Sequence, residues 1–318
     1  MQVLSGSSQA RRATESARSA FTRLFNIVRR PETIACGVLL FIAIMILEVT
    51  GYAAVARIGM LNIAAFAIFA LLTDRSDQKQ QRTPGWTTQR KTRFRTILLW
   101  IQIAILGLFI ILSARDLLWI TGLTPLTTAF IPYWSQLEFA FEPTVTGSTL
   151  IYGSYQVAPT LLIALAIVLF FFGARPREMG VTGGQHSWRQ AWLWSCAPLL
   201  LFVTGRLLLN PQAAFIRLIW SLCVVAPVQE LLFRGALMTR LSRAFSNGWG
   251  LVLSALVFGL WHVGLVSVSI GATNIVVGGA AAFVSYGVLG LATGTLLLRT
   301  RTLLAPTILH GFVAAAFL

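Results

Sequence analysis

Acidic side chains are scarce in this chain: ten of its 318 residues are Asp or Glu, and only Lys79 and Lys91 are lysine. Charged residues make up 11%, where soluble domains carry about 25%. A soluble globule of this length would lack the polar groups to cover its surface. Cysteine is equally sparse. Cys36, Cys196 and Cys223 are odd in number, and each lies in or beside an apolar run. That excludes a disulfide-stapled scaffold and predicts reduced, buried thiols. No zinc-finger spacing, Walker glycine loop or GxGxxG ahead of a strand–helix unit is present, so the common nucleotide- and nucleic-acid-binding motifs are missing. The net charge of +15 does not restore a nucleic-acid partner, because the basic residues sit between apolar runs, where lipid head groups meet them.

Apolar residues dominate, at 56%, which excludes disorder and leaves an all-α, polytopic membrane bundle. Runs of spanning length fall at 33–50, 55–73, 96–113, 158–174, 190–209, 213–238, 248–270, 277–298 and 302–318. They predict about eight or nine transmembrane helices. A further stretch, 117–133, is broken by Gly122, Pro125 and Pro132 and is not counted. Residues 1–30 are Ser- and Arg-rich and read as a cytoplasmic basic tail. Residues 31–180 hold N-terminal spans of unassigned role, and 190–318 form a C-terminal core. The loop 74–95 carries seven basic residues, whereas 114–157 carries Arg115 against three acids. With the N-terminus inside, the basic loops fall on the cytoplasmic side. The lipid bilayer is therefore the expected partner.

Chemistry is concentrated in very few residues. From 181 to the end Glu230 is the only acid, and it lies in the apolar stretch WSLCVVAPVQELLFRGALM. A carboxylate at membrane depth normally faces the bundle interior with a partner. Arg234 follows four residues later, on the same helical face and in the favourable order. The pair reads equally as a structural ion pair locking helix packing. Of three histidines, His186 lies in a polar loop, while His262 (FGLWHVG) and His310 (APTILHGFV) lie inside apolar spans. One carboxylate and two imidazoles suit general-base activation of water with polarisation of a carbonyl. They also suit a zinc site formed by Glu230, His262 and His310, or a proton relay.

APVQELLFRGAL, with its E-x-x-x-R and F-R-G, resembles the first motif of the CPBP family, the CAAX proteases and bacteriocin-processing (Abi) enzymes. FGLWH at 258–262 resembles the second motif, F-x-x-x-H, whose aromatic residue is Phe258. FVSYGVLGLATGTLLLRTRTLLAPTILH resembles the glycine-bearing helix and the histidine of the third motif. The order and spacings match over about residues 190–318. The sequence departs from the pattern twice. Gln229 stands where the family's first, water-activating glutamate belongs, and Ala314 stands where the third motif has Asn or Asp. Positions 229 and 230 lie about 100° apart on a helix, so one replaces the other only through a local distortion.

The resemblance implies an intramembrane endopeptidase acting on a membrane-anchored or lipid-modified protein tail, or on a small peptide, in the inner membrane of a bacterium. It implies Glu230 as acid/base and His262 orienting the water. His310 would then stabilise the oxyanion, Arg234 would hold the carboxylate, and no metal would take part. Gln229 and Ala314 keep a second expectation open, a catalytically silent scaffold or immunity protein with the same fold. A proton-coupled transporter is the third.

Overall fold

A computed structural model describes residues 29–74, 93–113, 179–181 and 187–317. Among these residues the structure is helical and contains no strand. The helices are α1 (Pro31–Val49), α2 (Ala53–Asp74), α3 (Arg93–Ser113), α4 (Ser187–Phe202), α5 (Pro211–Ala244), α6 (Asn247–Trp261), α7 (Val263–Ile270), α8 (Ile275–Thr300) and α9 (Leu304–Phe317). The tail 1–28, the run 158–174, the broken stretch 117–133, the loop 134–157 and His186 lie outside the described residues. Four helices (α1, α2, α5 and α8) are long and apolar enough to cross a membrane, five spans if α6 and α7 count as one. Two further apolar helices, Thr96–Leu108 and Leu304–Ala316, are shorter. The count of eight or nine is thus not reached among the described residues.

Local chemistry explains where the helices start and stop. Pro31 opens α1 and Pro211 opens α5, at positions whose N–H would be unsatisfied anyway. Asn210, Ser246 and Asn274 cap α5, α6 and α8 by accepting hydrogen bonds from the N–H of Ala213, Trp249 and Val276. Gly51, with φ of 86°, makes the turn of the α1–α2 hairpin. Gly271, also left-handed, ends α7.

Three features depart from regular helices. The run 248–270 is two helices bent by 50° at His262. The run 213–238 belongs to a 34-residue helix, α5. Within α5, wide π-type turns occupy Ser221–Val225 and Leu231–Met238. Pro227 has no N–H and cannot complete the α-helical ladder behind it, and the widened turn immediately precedes it. A third π-type turn, Phe283–Gly287, interrupts α8.

Packing is close inside and apolar outside. Val49 is 80% exposed and Phe41 64%, as suits an apolar helix of spanning length whose outer face meets lipid. The prediction of buried thiols holds for Cys36 alone. Cys196 and Cys223 are exposed, because their helix faces point away from the bundle. Ala43, Leu47 and Ala56 of the α1–α2 hairpin share a core with Val263, Val277 and Phe283. Gly59 of α2 lies so close to Val284 that an added Cβ would come within 2.8 Å. Glu32, in the first turn of α1, lies against Gly248 at the start of α6. Arg299, near the end of α8, donates to the Ala70 carbonyl of α2 (3.0 Å). These contacts put the start of α1 beside the start of α6, and the end of α2 beside the end of α8.

Candidate active site

The site is assembled from α5, the α6–α7 bend, α8 and α9. Glu230 is the last residue of a single α-helical turn held between the two π-type turns of α5. A π-type turn adds a residue and rotates the helix beyond it, supplying a local distortion at this motif. Gln229 and Glu230 are both buried, although neighbours on a regular helix point about 100° apart.

Both carboxylate oxygens of Glu230 are engaged. Nδ1 of His310 lies 2.8 Å from Oε1. Nε of Arg234 lies 3.3 Å from Oε2. The second contact is an ion pair without hydrogen-bond alignment, since neither atom has a hydrogen-bond partner. The guanidinium of Arg234 stands 4.1 Å over the Phe258 ring. It is fully buried, so its compensation comes from the carboxylate and the π face. The same position is tight. A Cβ on Gly290 would meet Ala255 Cα at 3.0 Å and the guanidinium at 3.2 Å.

His262 occupies the bend, with φ −92° and ψ 4°, in the sparsely populated bridge region where active-site residues recur. Its backbone N–H reaches back to Gly259 (3.0 Å) rather than to Phe258. The Phe258 carbonyl instead lies 2.8 Å from Nδ1 of the imidazole. A carbonyl oxygen only accepts, so Nδ1 carries the hydrogen and donates. In the neutral ring Nε2 is then the lone-pair nitrogen. The bend and the tautomer have one cause: the side chain substitutes for the backbone donor that the kinked helix lacks.

Phe258 is the hub. Its ring lies 4.6 Å from the His262 ring and 5.6 Å from the His310 ring. It lies 4.9 Å from that of Phe233. The structure therefore gathers Glu230, Arg234, His262 and His310 around one phenyl group. Gln229 is buried beside them in the chain, with Oε1 lacking a partner. Ala314, one turn beyond His310, is buried and brings no polar group.

Among the described residues no three His, Cys, Asp or Glu side chains come together as a metal-binding group. Nδ1 of His310 lies against Glu230 and Nδ1 of His262 against the Phe258 carbonyl, contacts that orient each ring and leave its Nε2 for other work. Tyr286 is a neighbour that sequence reasoning passed over. Its ring stacks on His262 at 3.8 Å and 7°. No spacing in FVSYGVLG marks it, because the contact is made across helices.

Residues 211–316 match the family model of the type II CAAX prenyl endopeptidases, Rce1-like. The matched segment takes in Gln229, Glu230, Arg234, Phe258, His262, Tyr286 and His310 and leaves α1 to α4 outside. It agrees with the CPBP resemblance of the three motifs. No curated protein and no solved structure matches the chain.

Proposed function

From a C-terminal segment similar to the type II CAAX prenyl endopeptidases, we propose that this chain is an integral-membrane endopeptidase. Its substrate is the tail of a membrane-anchored or lipid-modified protein, or a small membrane-associated peptide. The observation that carries the reading is the buried Glu230–His310 pair, gathered with the bend residue His262 around Phe258.

The roles follow from which atoms remain unused. Glu230 is occupied by His310 and Arg234, and the amide of Gln229 takes no proton near neutral pH. His262 Nε2 is the available base: it removes a proton from water as the hydroxide adds to the scissile carbonyl. It later returns that proton to the departing amine. His310, whose Nδ1–H donates to the Glu230 carboxylate, can offer Nε2–H to the oxyanion only when protonated on both nitrogens, a form that the neighbouring carboxylate supports. Arg234 fixes the carboxylate that orients His310. A low-dielectric surrounding strengthens each of these interactions. The reading uses no metal. It places the chain in a bacterial inner membrane with the ends of α2, α5 and α8 cytoplasmic, a choice supported by Arg243, Arg299 and Arg301 at or next to those helix ends.

Gln229 and Ala314 favour a second reading, a catalytically silent protein that keeps the fold. Turnover of a lipid-modified tail peptide by the purified chain, by Gln229→Glu and by His262→Ala, with folding checked independently, separates the two. Cleavage by the first two and not the third supports the peptidase. No cleavage by any of them supports the silent protein.

A further inference from the structure

We propose that Tyr286 is the positioning residue of His262: its ring, stacked face to face on the imidazole, holds the ring plane that the Nδ1–H···O=C bond to Phe258 requires. Three aromatic rings border His262. Phe258 and Trp261 meet it edge-on, at 74° and 85°. Edge contacts limit where the imidazole sits but do little against rotation about χ2, which is a broad, soft torsion. Tyr286 alone lies parallel, at 7° and 3.8 Å. That separation is van der Waals contact across the whole face, so turning the imidazole out of plane drives its edge into the phenol. Rotation would also take Nδ1 away from the Phe258 carbonyl, leaving a buried acceptor unpaired. Stack and hydrogen bond thus select the same orientation.

The fold brings Tyr286 there by two devices. It sits in the π-type turn Phe283–Gly287 of α8, which changes the direction of its side chain relative to a regular helix. Helices α6 and α8 approach closely enough for that ring to reach. A Cβ on Gly259 would lie 3.3 Å from both Gly287 N and Phe283 Cα. The α6–α8 seam is therefore closed by glycine three residues before His262.

Tyr286 acts on the tautomer whatever the chemistry is; its effect on turnover rests on the peptidase reading above. The chain has only three histidines, so ring-nitrogen NMR of the full chain, ¹⁵N-histidine-labelled in nanodiscs, is assignable through His186→Gln and His262→Gln. In the wild type and in Tyr286→Phe, which keeps the stack, His262 should show a protonated Nδ1 and a pyridine-like Nε2. Tyr286→Leu should move both nitrogens toward a tautomer average. It should lower kcat by roughly ten- to a hundred-fold with KM near the wild-type value, and Tyr286→Phe should restore kcat. A single Nδ1–H tautomer persisting in folded Tyr286→Leu overturns the proposal, as does its loss in Tyr286→Phe. Should the leucine variant not fold, Tyr286→Met, which fills the space without a flat face, must give the same tautomer averaging. A wild type with no turnover but this pattern of nitrogen shifts would sink the peptidase reading and leave the role of Tyr286 standing.

Discussion

Glu230 and His310 are eighty residues apart in the chain and 2.8 Å apart in the structure. The contact ties the middle of α5 to the middle of α9 through two fully buried groups. It makes Glu230 a partner of the imidazole rather than a free carboxylate, and for that reason the proposed base is His262.

The first prediction concerns position 229. Gln229→Glu supplies a carboxylate where the wild type has an unpartnered amide oxygen. Turnover of a lipid-modified tail peptide should rise, but by less than the roughly 10²–10⁴-fold that a first general base contributes, because His262 already fills that role in the proposed mechanism. Equal turnover in the two proteins would show that residue 229 does not face the reaction.

Stability should respond unequally to the two halves of the ion pair. Glu230→Gln leaves Arg234 buried with a charge it cannot lose, a change that costs about 3–5 kcal/mol when one partner of a buried pair is removed. Arg234→Met leaves a carboxylate that still has His310 and can also take up a proton. Thermal unfolding in detergent should therefore fall further for Glu230→Gln than for Arg234→Met. The double variant should recover part of the loss. Equal losses for the two single variants would contradict this assignment.

Glycines at different positions should give effects of opposite sign. Gly290→Ala must displace Ala255 or the Arg234 guanidinium and should destabilise by about 1–3 kcal/mol through overpacking. Gly37 and Gly107 lie in α1 and α3 with nothing within 4 Å of an added Cβ. Alanine at either should stabilise by about 0.5–1 kcal/mol through helix propensity. Chemical denaturation of the three variants reads this directly.

Chelation should leave turnover unchanged, since the reaction as proposed draws on Glu230, His262 and His310 without a metal. Activity lost to a chelator and regained with zinc would replace the histidine-base mechanism with a metal-dependent one.

Orientation is open to cysteine labelling in a cysteine-free background. Ser246, in the link between α5 and α6, should be reachable only from the cytoplasm, and Thr273, just before α8, only from outside. The reverse pattern would invert the topology.

Helix positions were largely readable from the apolar runs, and Glu230–Arg234 from the four-residue spacing, because both depend on local periodicity. His262 and His310 stood out because imidazoles are costly in apolar spans. The 50° bend at His262 and the π-type turns around Glu230 were not readable. Each trades backbone hydrogen bonds among alternatives of similar energy, and tertiary packing selects between them. Pro227 interrupts the hydrogen-bond ladder of α5 but does not by itself set the direction in which the following residues turn. The assignment of His310 to Glu230, and of Tyr286 to His262, arises from helix crossings that no single segment encodes.

The close seating of α2 on α8, Gly59 against Val284, has a consequence for modularity. A shared motif segment invites the view of a detachable catalytic unit with an ornamental N-terminal half. Yet the inner face of α8 that presents Tyr286 is walled on its far side by the α1–α2 hairpin. A fragment beginning near α4 would carry all its reactive groups and still lack the wall that keeps α8 in place. Such a fragment should sample several helix arrangements, and inheritance of this fold should proceed with the hairpin attached.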